Sequence, residues 1–370
     1  SDFCILSEDV VQFLKAKFDI LKLKRKEDLQ NQLKAEPYKQ YSLTVTELVQ
    51  SNAMGHDELL YEVENLSLED YMAIHKSIFK RVYLESLLIG NLNESEAVAV
   101  TQGFVEEMRK KDLFQDLPLS KINEIRLIAL ESQKLKLYSK TLNDESEKNS
   151  VMALEFHMPQ TVKHRQINKV LENYLSKLYF EELRTEKQVG YIVFALASER
   201  NQSSGFVFLI QSDKFLPSEL AQMTLEFLEV QKAKIREMTD EDFEVIREGL
   251  IAPLRQDFTS LEQQHSSYFS EISKHEYDFD SKKTKMENFK ALKKEDLIEF
   301  FDQIFFEERR VMEVHLVSHD SEEKNREHIQ KRRESKEATP IEVFDCPVRF
   351  RSEHVMYKDA GLKRGVFGGK

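Results

Sequence analysis

The sequence predicts an α+β fold made of two repeated helix–strand units, the first cut short at its N-terminus. Three observations lead there. Segments with apolar residues at helical spacing alternate with short apolar runs of strand length. Gly and Pro number only 10 and 7, too few for a turn-dense all-β fold. Two stretches also match in register. Leu66 to Phe79 followed by Val82 to Ile89 resembles Leu292 to Phe305 followed by Val311 to Val317. Glu69/Glu295, Asp70/Asp296, Ile78/Ile304 and Phe79/Phe305 are the recurring pairs.

The second unit is the longer. Strands are predicted at 126–142 and 150–159, the latter with Val151, Ala153 and Glu155 alternating against Met152, Leu154 and Phe156. A helix is predicted from Val162 to Lys187, with an apolar stripe of Ile167, Val170, Leu171, Tyr174, Leu175, Leu178 and Leu183. Strands at 191–197 and 205–211 follow, joined by a polar turn from Ser198 to Ser204. Pro217 opens a helix that reaches Met238, since Pro is harmless in a first turn. Thr239 and Asp242 form a capping box for the next helix. Further helices run to Phe306, and a strand at 310–318 closes the unit.

The first unit contains only the later elements: helices near 8–36, 40–54 and 67–79, the last capped by Ser67 and Asp70, and one strand. Aligning Glu8-Asp9 with Glu241-Asp242 places a counterpart of 127–240 ahead of residue 1. The chain is therefore expected to start inside a domain. A helix at 94–111 would link the units. Residues 321–339, with Lys331-Arg332-Arg333, read as a solvated linker or helix face, and 341–350 as a short added strand.

Composition narrows the function classes. A chain of 370 residues exceeds the usual single core, so two domains are expected. Net charge is −12, which argues against a nucleic-acid partner. No apolar run approaches the ~20 residues that span a bilayer, so no membrane partner is expected. Cys4 and Cys346 lie near opposite ends, without metal-ligand spacing, and favour a reducing compartment, the cytoplasm. Trp is absent and Phe numbers 25, which predicts a core rich in Phe and Leu.

The ten histidines fit no metal template, so no metal site is expected in this chain. His315 and His319 are four apart, but along a strand that is about 13 Å, too far for one ion. His157 and His164 straddle a strand–helix junction and are expected at the surface. No nucleophile elbow, Walker loop or dinucleotide-binding loop occurs.

The segment 183–191, Leu-Arg-Thr-Glu-Lys-Gln-Val-Gly-Tyr, remains. It closes a helix and turns through Gly190 into a strand, an arrangement that can aim Arg184 and Tyr191 into one space. On the residues alone, Arg184 equally suits a solvated cation at a helix C-terminus and Tyr191 an ordinary strand aromatic.

This segment resembles the L-R-T-x-x-Q-L-G-Y-x-V segment in the C-terminal half of insulysin-type zinc peptidases, the inverzincin or pitrilysin family. Gly205 to Lys214 resembles the strand that follows it there, Leu84 to Asn91 a strand of the third domain, and Met238 to Phe243 and Lys294 to Leu297 also fit. Val189 replaces the usual leucine before Gly190. The resemblance implies repeated α/β domains of the metallopeptidase and processing-peptidase type, mostly antiparallel sheet flanked by helices. It assigns 1–125 to the end of a third domain, 126–320 to a complete fourth domain and 321–370 to a polar linker and tail.

It further implies the substrate-enclosing, non-catalytic half of a zinc metalloendopeptidase, inactive by itself. Zinc would then be held by a missing N-terminal half. Peptide substrates and that half are the implied partners, and a homodimer is left open. Arg184 would position substrate and Tyr191 would assist at the oxyanion, with Gly190 part of the substrate-binding turn. The alternative is an inactive relative acting as a structural or peptide-binding scaffold.

Overall fold

The computed structural model describes residues 8–110, 115–118, 121–122, 125–200, 203–335 and 340–357. Cys4 lies outside them; Cys346 is an exposed free thiol. The chain opens with helices α1 (Glu8–Leu33), α2 (Pro37–Val49), α3 (His56–Asn65) and α4 (Leu68–Ile78). Ser67 caps α4 as expected, its hydroxyl accepting the Asp70 amide at 3.0 Å. A two-residue strand β1 (Arg81–Val82), helix α5 (Glu94–Lys110) and strand β2 (Gln115–Asp116) follow, with β1 and β2 paired in parallel.

The second unit supplies the main sheet. Its elements are β3 (Lys134–Thr141), β4 (Ser150–Pro159), α6 (Val162–Tyr179), β5 (Ile192–Arg200), β6 (Ser203–Ser212), α7 (Pro217–Lys234), α8 (Asp240–Ile251), α9 (Leu261–Ser273), α10 (Ser281–Ala291), α11 (Lys294–Asp302) and β7 (Arg310–Val317). Helix α12 (Glu322–Glu334), strand β8 (Ile341–Phe344) and helix α13 (Pro347–Glu353) end the described chain. The sheet order is β5-β6-β4-β7-β3-β8. Pairing is antiparallel from β5 to β7, while β3 runs parallel to both β7 and β8.

Both faces of this sheet are covered. Met152, Leu154 and Phe156 point to one face and pack with α6, α7, α8 and α11. Phe156, Phe206, Phe208, Phe227 and Phe305 interlock there edge to face, with ring centroids between 4.8 and 6.4 Å. Such pairs contribute beyond area burial alone, and the Phe-rich composition is thereby used. Val151 and Ala153 point to the other face, where Tyr41, Val45, Leu48 and Val49 of α2 cover them. A helix of the first unit thus closes the back of the second unit's sheet.

The two copies differ in burial. Ile304 and Phe305 are 0% and 2% exposed against the sheet, whereas Ile78 and Phe79 are 60% and 44% exposed. The strand expected over 82–89 is confined to Arg81–Val82. Among the described residues, the first unit has no counterpart of β3 and β4 to pair with a longer strand, and unpaired backbone stays irregular.

Three expectations are corrected. The polar stretch 198–204 is not a turn: β5 and β6 run on to Arg200 and back to Ser203. The cause is Glu155, buried on β4, which pairs with Arg200 and accepts the Ser198 hydroxyl at 3.3 Å. His157 is fully buried rather than at the surface, because β4 is an inner strand covered on both sides. In the charged run 331–333, Arg332 is only 4% exposed. It forms a two-pronged pair with buried Glu313 at 2.6 and 3.1 Å, which fastens α12 to the sheet.

Candidate functional site

The candidate site forms where α6 ends. Thr161 caps the start of α6, accepting the His164 amide at 3.0 Å. Its stripe then buries Ile167, Val170, Leu171, Leu175 and Tyr179, with Tyr174 and Leu178 partly covered. Beyond Tyr179 the helix widens into a π-turn over Phe180–Glu186. Such a turn rotates the following side chains relative to a regular helix. Leu183 stays fully buried while Arg184 next to it faces outward.

The chain then reverses. The Lys187 amide donates to the Glu182 carbonyl at 2.9 Å and the Val189 amide to the Leu183 carbonyl at 3.0 Å. Gln188 takes the left-handed region, with φ 51°. Gly190 lies so close to β6 that a Cβ there would sit 2.0 Å from the Gln211 carbonyl oxygen. Only glycine fits. The buried Ser212 hydroxyl donates to the Val189 carbonyl at 2.5 Å and accepts the Lys214 amide at 3.0 Å. The turn is therefore clamped to the end of the sheet. Val189 is itself fully buried.

Arg184 and Tyr191 come together on this clamp. The Arg184 Nε donates to the Tyr191 carbonyl at 3.0 Å. Its guanidinium carbon lies 5.0 Å from the centroid of the Tyr191 ring, a cation–π contact. Tyr191 is 79% exposed, and its hydroxyl has no hydrogen-bond partner among the described residues. The pair offers a free phenol donor and the remaining guanidinium N–H groups to one patch of solvent. The Tyr38 amide, at the start of α2, donates to the Gln211 side chain at 3.0 Å and ties α2 to the same end of the sheet.

Three histidines, His315, His319 and His157, are held within the fold. His315 bonds Glu313 at 2.7 Å and Asn325 at 3.1 Å. His319 bonds the Leu142 carbonyl at 2.7 Å. His157 lies 3.5 Å from Glu155, and neither of its ring nitrogens has a hydrogen-bond partner. Burial pushes its pKa down to about 4 despite that carboxylate. Burial opposes ionisation of Glu155, yet Arg200, His157 and the Tyr41 hydroxyl hold its pKa down at about 2. No group of three His, Cys, Asp or Glu among the described residues could hold a metal ion. No helix among them is long and apolar enough to cross a membrane.

Two features escaped sequence reading. The tether from Arg184 to the Tyr191 carbonyl depends on the π-turn, which has no compositional signal. Ser212 as clamp is visible only once β6 is placed beside residue 189.

Comparison with known proteins places these features in context. Residues 170–269 match the family model described as PQQ synthase PqqF-like, C-terminal lobe domain 4. The chain is 27% identical to the insulin-degrading enzyme of Drosophila melanogaster over 336 residues, 88% of this chain and 32% of that protein. It is 27% identical to the A-factor-processing enzyme of Saccharomyces cerevisiae, over 82% of this chain and 29% of that one. It spans about a third of the length of these relatives. Among solved structures, pitrilysin superposes with a TM-score of 0.71 at 18% identity, covering 96% of this chain and 35% of its own. A peptidase M16 inactive domain from Pseudomonas fluorescens gives 0.58 at 13% identity, covering 82% and 70%. In sequence and in fold, the chain matches the C-terminal half of an insulinase-like metallopeptidase.

Proposed function

We infer that this chain is the substrate-enclosing, non-catalytic half of a zinc metalloendopeptidase that hydrolyses peptides in a closed chamber. The observation that carries this reading is the Arg184–Tyr191 pair, half-buried Arg184 against exposed Tyr191, clamped on one turn. The likeness to the insulin-degrading enzyme supports it. On this reading, residues 1–125 complete a third domain, 126–320 form the fourth, and 321–370 are a C-terminal segment whose α12 and β8 join the fourth domain's sheet. The partners are peptide substrates and an N-terminal catalytic half, and the compartment is the cytoplasm.

The residues have distinct tasks. The Tyr191 hydroxyl donates to the carbonyl oxygen of the peptide bond under attack, where negative charge grows. Arg184 keeps one N–H on the Tyr191 carbonyl and turns its others toward a substrate carbonyl or carboxylate. Gly190 lets the turn lie against β6 and so sets where Tyr191 starts. Among the described residues, His315 and His319 are engaged in bonds within the fold and His157 is sealed beside Glu155. On this reading activation of water falls to the other half, and closure of the halves brings Tyr191 to the reacting bond.

The chain alone, incubated with zinc and a fluorogenic peptide, is expected to show no chelator-sensitive hydrolysis. The longer protein is expected to show it. Chelator-sensitive cleavage by the chain alone would overturn the assignment.

A further inference from the structure

Nine of the thirteen residues of α12 are charged, and only Asn325, Ile329 and Arg332 are buried. One of those three is apolar. Attachment of the helix therefore rests on what Asn325 and Arg332 meet. Arg332 pairs with Glu313 on β7. Asn325 lies between β7 and the first turn of α7, where the Ser218 amide has no acceptor within its own helix.

These hydrogen bonds fix which atom carries each proton. The Ser218 amide can only donate, and it donates to the Asn325 Oδ1 at 3.1 Å. The Asn325 Nδ2 is thereby turned to the His315 Nδ1, 3.1 Å away. A side-chain amide nitrogen donates and does not accept, so Nδ1 carries no proton. The ring proton then sits on Nε2 and is donated to the Glu313 carboxylate at 2.7 Å. His315 is neutral, and α12 is docked on that neutral form.

Charge balance points the same way. In this buried space Arg332 and Glu313 cancel. Half-buried His328 lies on α12 between Asn325 and Arg332 and adds no negative charge. Ser139 and Met152, opposite His315 on β3 and β4, are neutral. The end of α7 that faces Asn325 is the positive end of its dipole, and Glu219 there accepts the Leu216 amide at 2.9 Å. A proton on Nδ1 would leave two buried cations against one carboxylate. Burial lowers the pKa of His315, and Arg332 and His328 act with burial against Glu313.

We propose that α12 is an acid-released clasp, docked while His315 is neutral and freed when protonation of Nδ1 sets a second donor against the Asn325 amide. The helix leads into β8, which pairs with β3, and into α13, whose Arg351 donates to the Glu47 carbonyl of α2. Release therefore also loosens the end of the chain that fastens α2 to the second unit.

The test is hydrogen exchange of the 370-residue chain, read by mass spectrometry at pH 7 and pH 5 and corrected for the intrinsic rate. Peptides from 322–334 are expected to lose protection about tenfold or more at pH 5, while those from 150–159 keep theirs. Asn325→Asp offers the protonated ring a carboxylate and still accepts the Ser218 amide, so it is expected to hold α12 in place at pH 5. His157→Gln is expected to leave the response of α12 unchanged, which separates it from the buried imidazole on β4. Equal protection of 322–334 at both pH values would overturn the proposal. So would loss in 150–159 alongside it, a changed response in His157→Gln, or an Asn325→Asp chain that frees α12 as the parent does. Nitrogen NMR of the histidine rings checks the unmodified chain: His315 is expected to carry its proton on Nε2 at pH 7, and a proton on Nδ1 would overturn the proposal without any variant.

Discussion

At the scale of the residue, geometry around Gly190 governs the candidate site. A Cβ there meets a backbone oxygen of β6, which belongs to the inner sheet and cannot yield as a flexible side chain would. Gly190→Ala is expected to cost roughly 2–4 kcal/mol of stability, at the high end for a single methyl because strand pairing must shift. Urea unfolding of the chain measures it; a loss below about 0.5 kcal/mol would show that the turn relaxes freely. His157 sets a second residue-scale expectation. It is neutral in the fold, with a pKa of about 4 against 6.5 in the unfolded chain. Between those values the unfolded chain takes up a proton that the folded chain refuses, so stability is full above pH 6.5 and falls as pH drops toward 4. Replacing the imidazole, His157→Gln, should therefore flatten the fall in melting temperature between pH 7 and pH 5 compared with the parent chain. An unchanged slope would mean that the ring is hydrated or paired.

At the scale of the element, periodicity made most of the second unit legible. The alternation in 150–159 separated the two faces of β4 correctly, and the predicted stripe of α6 contains its buried Ile167, Val170, Leu171 and Leu175 but missed fully buried Tyr179 and the buried polar Gln166 and Asn168. The Ser67 and Thr239 caps were readable because their side chains act on amides only three residues on. What was not legible depends on partners distant in sequence. Arg200 and Ser198 look like turn residues until Glu155 supplies a buried partner. Arg332 looks solvated until Glu313 is opposite it. Helix α3, between the helices expected at 40–54 and 67–79, was not foreseen; none of its residues is buried, and it packs on α1. At the site, the pairing of Arg184 with Tyr191 was foreseeable as proximity but not as a bond, since a π-turn carries no spacing signature.

At the scale of the whole molecule, the two copies of one helix–strand unit carry different energetic weight. Phe305 is locked among Phe156, Phe206, Phe208 and Phe301, while its counterpart Phe79 stands partly in solvent. Phe305→Ala is expected to cost about 3–5 kcal/mol, as a large cavity in a packed core does. Phe79→Ala is expected to stay within about 0.5 kcal/mol. Equal costs by chemical denaturation would mean that the first unit has a core of its own. This asymmetry also bears on function, because a molecule whose first unit leaves its apolar helix face open is suited to join further structure. The Arg184–Tyr191 turn lies on the better packed unit, a rigid placement that the proposed closure by a partner half would use. The most direct measurement is made in the longer protein, comparing kcat and KM for one peptide with Tyr191 and with Tyr191→Phe. Loss of a donor used only as the oxyanion forms should lower kcat about 10²-fold or more and leave KM little changed. An unaltered kcat would contradict the role assigned to Tyr191.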